Sequence, residues 1–361
     1  MIKAKDSIYN ITPYVGGESE GKDGQRIIKL SSNEGPFGPP PMAIEAMKKA
    51  AENAHRYPDG GAKALREALA KKNNINADNI VCGAGSDEII SLLCQAYAGA
   101  GDEVLYTQHG FLMYAISAKA AGATPITAPE KDLATDVDAL LSKVTDKTKL
   151  VFVANPNNPT ASYISRDEIK RLHAGLRDDI LLVLDAAYTE YVDDPYYSDG
   201  HEWVESNENI VVTRTFSKLY GLGGIRLGWC HAPLHVIDIM NRVRGPFNVS
   251  IEAQAAGVAA LQDIDFIEKS LAHNKNVRMN FVVGLNDIGI DVYPSACNFI
   301  LAELGDSERA ESLRLFLKEQ GILIRQMGGY GLPTCLRISI GTEEEMDIAL
   351  EAVKLYVKTN E

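Results

Sequence analysis

Four polar clusters in this 361-residue chain stand directly after short apolar runs, and their side chains could do chemistry together. The most suggestive is Thr215-Phe216-Ser217-Lys218, followed by Gly221, Gly223, Gly224 and Arg226. A lysine amine becomes a nucleophile when its surroundings lower its pKa. The Ser217 hydroxyl and the Arg226 guanidinium can both bind phosphate, and the small residues between them let a ligand approach the backbone. Taken alone, a Ser-Lys pair reads equally well as solvated surface. Asp185 closes the apolar run 180–184, where a carboxylate is costly unless it meets a cation or hydrogen-bond donors. A helix cap or a salt bridge would also satisfy it. In Gly83-Ala84-Gly85-Ser86-Asp87-Glu88, Ser86 is placed to N-cap the helix that follows, whose free N–H groups could cradle a phosphate. In Asn155-Pro156-Asn157-Asn158-Pro159-Thr160, prolines on either side hold two amide side chains in a fixed turn. Each of these two segments is also compatible with an ordinary turn.

The elements that position these clusters alternate between strand and helix. Short β-rich runs at 79–82, 103–106, 150–154, 180–184, 210–213 and 225–230 are mostly apolar throughout, and helical spacing marks 40–53, 64–72, 87–97 and 166–176. Continuously apolar strands separated by helices imply a largely parallel sheet covered on both faces, with ligands at the carboxyl ends of its strands. After Pro246 the texture changes. A long helical region at 251–285 leads to strands at 299–302, 322–326 and 336–340, a helix around 312–318 and a terminal helix, which reads as a smaller α/β lobe. The expected organisation is an N-terminal arm over 1–30, with a Gly-rich turn at Gly16, Gly17, Gly21 and Gly24, a large domain over 31–250 and a small domain over 251–361.

The formal net charge of −13 argues against an extended nucleic-acid interface, which requires a basic face. Five scattered cysteines form no CxxC pair, and seven histidines form no ligand spacing, so neither a disulfide framework nor a metal site is expected. No apolar run has the length of a signal peptide or a membrane span, which makes the cytoplasm the expected compartment.

Together the motifs resemble the fold-type I pyridoxal-phosphate aminotransferases, and within them the histidinol-phosphate branch. The segments that carry the resemblance run in family order through nearly the whole chain: TPY, SSNEGPFG, RYP, GAGSDE, NPNNPT, DAAYTEY, TFSKLYGLGGIRLG, GILIR and CLRISIG. The resemblance implies that Lys218 holds pyridoxal 5'-phosphate as a Schiff base and later shuttles a proton. Asp185 would pair with the pyridinium nitrogen, and Asn157 and Tyr188 would hold the ring's phenolic oxygen. Gly85, Ser86, Asp87, Thr215, Ser217 and Arg226 would surround the phosphate, and Phe111 would stack on the ring. It implies a homodimer in which Tyr57 and the arm's Tyr14 reach the neighbouring active site. Arg337, Arg325, Tyr14 and Asn33 would receive the acidic end of the substrate.

The expected reaction is transamination between L-histidinol phosphate and 2-oxoglutarate. An aromatic amino-acid aminotransferase of the same branch is the alternative, and a threonine-phosphate decarboxylase a more distant one. Three positions depart from the family pattern: Ala186 replaces a glutamate, Ala161 a glycine and Gly35 an asparagine. A non-catalytic pyridoxal-phosphate-binding regulator is disfavoured because no DNA-binding module or basic patch accompanies the fold.

Overall fold

In a computed structural model describing residues 2–20 and 24–360, the apolar runs assemble into one seven-stranded sheet. Gly21 of the expected Gly-rich turn lies outside the described residues. Across the sheet the strands are ordered Ile80–Gly83, Gly228–His231, Ile210–Thr215, Leu181–Asp185, Thr148–Ala154, Glu103–Thr107 and Thr124–Ala128. Gly228–His231 runs antiparallel to both its neighbours, and the remaining pairings are parallel, so every other strand points the same way.

Alternation explains the continuous apolarity of the central strands. Leu150, Phe152, Leu181, Val183 and Val211 enter the core on one face, whereas Val151, Val153, Leu182, Leu184 and Val212 enter the core on the other. Each fully buried side chain of this kind contributes about 1.5–3 kcal/mol. A slip of one residue would exchange two fitted faces, which pins the register.

Several elements differ from expectation, among them the helices Met113–Ala121 and Leu234–Val243, absent from the helical spacing, and two strands of the large sheet. The strand Thr124–Ala128 went unrecognised because Pro125 interrupts it and its edge position leaves much of it exposed. The run 225–230 becomes a strand only at Gly228, since Gly223–Ile225 forms a 3-10 turn and Arg226 is left-handed (φ +55°).

A second, antiparallel sheet comprises Asp291–Val292, Phe299–Glu303, Cys335–Ser339 and Arg325–Gln326 in that order. Its core gathers Ile300, Leu336 and Ile338 with Val277, Phe281, Leu313 and Val353 from the surrounding helices. The arm ends in this lobe, because Ile28 pairs with Ile322 and Leu30 joins the same core. The helical region expected at 251–285 is two helices. Ile251–Gln262 packs with Leu65, Leu69 and Trp229 of the large lobe, and Asp263 then caps Ile264–Asn286, whose later residues enter the C-terminal core. Among the described residues no helix is long and apolar enough to cross a membrane, and no three His, Cys, Asp or Glu side chains gather as a metal site. All five cysteines are free and buried.

Candidate active site

The loops leaving the carboxyl ends of the aligned strands, together with the reversed strand's entry at Arg226, surround a cleft of about 420 Å³ between the two lobes. Lys218, Asp185, Tyr188, Ser86, Asp87, Phe111, Thr215, Ser217 and Arg226 line it from the large lobe, Arg337 from the small lobe, and Tyr14 and Asn33 from the N-terminal segment. Most of the residues singled out from the sequence therefore meet at one place.

Lys218 is half-buried, with its ammonium nitrogen 5.7 Å from the centre of the Tyr188 ring. Burial, and then the nearby Arg337 and Arg226 guanidinium groups, lower its pKa to about 8, against an opposing pull from Glu34 and Asp185. This is the property that a nucleophilic amine requires. Asp185 is buried at the end of its strand, and burial raises its carboxyl above the usual range. Two donors compensate in part: the Tyr114 hydroxyl at 2.7 Å and the Thr213 hydroxyl at 3.1 Å.

At the other side of the cleft, Arg226 forms a 2.6 Å ion pair with Asp87 at the start of the helix Ser86–Tyr97. Ser86 is the first residue of this helix rather than its cap. Gly85 occupies the cap position with φ +92°, so no side chain covers the terminal N–H groups and they remain able to meet an anion. A Cβ on Gly85 would lie 2.2 Å from Asp87 Oδ1 and 2.3 Å from Arg226 Nη2. Asn157 is buried just behind the wall that Pro156 and Asn158 form. Its amide nitrogen donates to the Thr160 hydroxyl and the His109 carbonyl, leaving Oδ1 without a partner.

Arg337 is buried and donates to Asn158 Oδ1 at 2.5 Å and to the Ser31 carbonyl at 3.0 Å. Asn33 donates to the Tyr188 hydroxyl at 2.9 Å, while its backbone is tied to Ser339 and Asn298 of the small lobe. Two residues stand apart. Arg325 is opposite Arg337 in the sheet register but outside the cleft wall, donating to the Val15 carbonyl beneath the Tyr14 ring. Tyr57 is 82% exposed and stacks on Phe247. Tyr14, expected at a neighbouring subunit's site, lines the cleft of its own chain, where Arg325 holds the arm through this stacking and the Val15 bond.

Three groups were not foreseen. Tyr114 binds Asp185. His109, paired at 2.9 Å with the buried Glu130, presents its carbonyl to Asn157. Asn158 holds Arg337. Tyr114 stands three residues after Phe111 and meets its ring edge-on, and Asn158 lies within the proline-flanked asparagine cluster itself, whereas His109 left no local signal.

The sequence profile of the family described as aminotransferase class I and II matches residues 25–353. The chain belongs to the class I and II aminotransferases. Among curated proteins, this aminotransferase is 53% identical over 352 residues to the histidinol-phosphate aminotransferase of Rhodospirillum centenum, covering 97% of each chain. It is 54% identical over 356 residues to that of Paramagnetospirillum magneticum, covering 98% of each. Among solved structures, the Sinorhizobium meliloti histidinol-phosphate aminotransferase in complex with pyridoxal-5'-phosphate superposes with a TM-score of 0.88 at 29% identity, over 93% of this chain and 92% of that one. The fold is thus that of the fold-type I pyridoxal-phosphate transferases, a mostly parallel central sheet with helices and a smaller C-terminal lobe.

Proposed function

We propose that this aminotransferase transfers the amino group of L-histidinol phosphate to 2-oxoglutarate, giving imidazole-acetol phosphate and glutamate in histidine biosynthesis. The observation that carries the reading is one cleft holding an amine of lowered pKa, Lys218, between a buried carboxylate, Asp185, and a buried guanidinium, Arg337. Near 50% identity to histidinol-phosphate aminotransferases over almost the full length supports the substrate.

The residues fit pyridoxal 5'-phosphate, the cofactor of this enzyme. Asp185 is a buried carboxylate suited to a cationic ring nitrogen, and Arg226 with the uncapped helix start suits a phosphate. When bound, the cofactor supplies the electron sink for breaking the bond between the substrate's Cα and its hydrogen. The protein does the rest. Asp185 would keep a proton on the ring nitrogen, Asn157 and Tyr188 would hold the phenolic oxygen, and Phe111 would cover the ring and exclude water. Ser86, Asp87, Thr215, Ser217 and Arg226 would anchor its phosphate beside Gly85. The Lys218 nitrogen would hold the cofactor covalently and would move the proton at the substrate's Cα.

Arg337, with Asn33 and Tyr14 beside it and Arg325 beneath Tyr14, receives the donor's phosphate and then a carboxylate of 2-oxoglutarate. We further propose a homodimer in which Tyr57, exposed and not among the residues lining its own cleft, reaches the cofactor phosphate of the second subunit. The large lobe is proposed to span residues 31–250 and the small lobe 251–361, with the arm before them.

Single-turnover half-reactions test the substrate. Histidinol phosphate is expected to convert the bound cofactor faster than phenylalanine or tyrosine, and the reverse ranking would move the enzyme to the aromatic branch. Release of carbon dioxide from threonine phosphate would mark a decarboxylase. Lys218→Ala should abolish both the covalently held cofactor and transamination; normal turnover in that variant would remove the reading altogether.

A further inference from the structure

A second cavity of about 820 Å³ lies between the lobes and shares the loop 155–163 with the main cleft. Its walls include Thr160–Tyr163 and Tyr191 from the large lobe, Leu271, Asn274 and Arg278 on the helix Ile264–Asn286, and Tyr293–Ala296 from the small lobe. None of the residues assigned to cofactor or substrate faces it.

Asn274 is 5% exposed. Its amide nitrogen donates to the Cys297 carbonyl at 3.3 Å, and since that carbonyl can only accept, the side chain's orientation is settled and Oδ1 is the atom left without a partner. One helical turn later, Arg278 Nη1 donates to the same carbonyl at 2.5 Å. No carboxylate pairs with Arg278 among the described residues, and burial draws its pKa down. The neighbouring Lys275 is already neutralised by Asp193 at 2.8 Å. The cavity is thus lined by one guanidinium without a carboxylate and one asparagine whose buried acceptor is unpaired, on adjacent turns of a helix, roughly 5–6 Å apart at their Cβ atoms. Beside them stand the apolar surfaces of Leu271, Tyr191, Tyr293 and Pro294.

We propose that this inter-lobe cavity binds a free α-amino acid, whose carboxylate meets Arg278, whose ammonium donates to Asn274 Oδ1 and whose side chain lies against Tyr191, Tyr293 and Pro294. A simple anion satisfies only Arg278 and leaves Asn274 Oδ1 bare, while an amine alone leaves Arg278 without an anion. A zwitterion with its two charges on one carbon satisfies both. The site is separate from the donor position in the main cleft and does not depend on which donor the enzyme prefers.

The probe is L-leucine, titrated calorimetrically into the cofactor-loaded enzyme, with 4-methylpentanoate as its counterpart lacking the amine. One leucine per chain is expected to bind to the wild type and to Arg337→Gln alike, and at least tenfold more weakly to Arg278→Gln. 4-Methylpentanoate should also bind at least tenfold more weakly than leucine. Ala272→Trp, which fills the cavity from its exposed rim without touching the Cys297 contacts, should abolish binding and decides the matter if Arg278→Gln does not fold. Unchanged leucine affinity in Arg278→Gln or Ala272→Trp, equal affinity for 4-methylpentanoate, loss of binding in Arg337→Gln, or no heat up to millimolar leucine would each overturn the proposal.

Discussion

Removing the Tyr114 hydroxyl isolates how the protein holds a buried carboxylate in readiness for a cation. Tyr114 donates to Asp185 Oδ2 at 2.7 Å, and both groups are buried. In Tyr114→Phe the ring remains, still stacked at 4.7 Å on Phe152 and edge-on to Tyr106 and Phe111, so no cavity opens and the loss is confined to the hydrogen bond. A bond to an ionised group contributes about 1.5–3 kcal/mol, a neutral one about 0.5–1.5 kcal/mol. The expected cost at neutral pH in cofactor-free protein is therefore about 1.5–3 kcal/mol, falling by roughly 1 kcal/mol in an Asp185→Asn background where the charge is gone.

The pH dependence has a definite sign. Burial raises the folded-state pKa of Asp185 above its ordinary value of 3.8, so its contribution to stability is fully present below 3.8 and is lost as pH rises through the higher folded value. Tyr114→Phe removes one of the bonds that oppose this rise, so its deficit should widen with increasing pH and narrow toward pH 3.8. Urea unfolding of the four proteins in the double-mutant cycle, repeated across that range, measures both effects. Equal costs in the wild-type and Asp185→Asn backgrounds would refute the reasoning, as would a deficit independent of pH.

Two further outcomes follow from the same cleft. The Lys218 amine should react with a carbonyl probe along a titration centred near 8 rather than 10.5, and Arg337→Gln should move that midpoint upward because a neighbouring positive charge has gone. Linkage adds that Lys218's contribution to the stability of the cofactor-free protein is fully present above 10.5 and lost as pH falls through about 8. A midpoint that stays at 10.5 in labelling experiments contradicts the burial argument. Gly85→Ala should cost about 1–3 kcal/mol in urea unfolding because its positive φ disfavours a side chain. Its Cβ would also displace the Asp87–Arg226 pair, so cofactor affinity measured by equilibrium dialysis should fall about tenfold, equivalent to about 1.4 kcal/mol; an unchanged affinity would mean that this pair does not shape the phosphate cradle.

What could be read from the chain follows the range of the interactions involved. The central strands were legible because both faces are buried, which turns a tertiary fact into a local run of apolar residues at 150–154 and 180–184. Lys218, Asp185 and Ser86 were legible because a doubly wound sheet places its ligands where strands end, and each lies within a few residues of such an end, whereas Arg226 stands at the entry of the reversed strand, inside the run 225–230. The partners that prepare these groups follow no local pattern. Tyr114 reaches Asp185 across 71 positions, and Asn33 is fixed by Ser339 across 306.

The same distinction explains why the substrate end resists reading from motifs. Arg325 and Arg337 belong to separate segments, and their relation is set by the pairing of two strands in the small lobe, while Tyr14 arrives from an arm held by Arg325 itself. Ala186 and Ala161, two of the three departures from the family pattern, are buried, and Ala161 packs with Tyr188, Cys297 and Phe299 where the lobes meet. On the proposed assignment, the residues for the cofactor stand at the carboxyl end of one sheet, whereas those for the donor depend on how the small lobe and the arm are seated against it. A substitution at Ala161 is expected to act on that seating rather than on Lys218, and to show in the ranking of donors before the rate of proton transfer, whereas Ala186 packs within the large lobe alone.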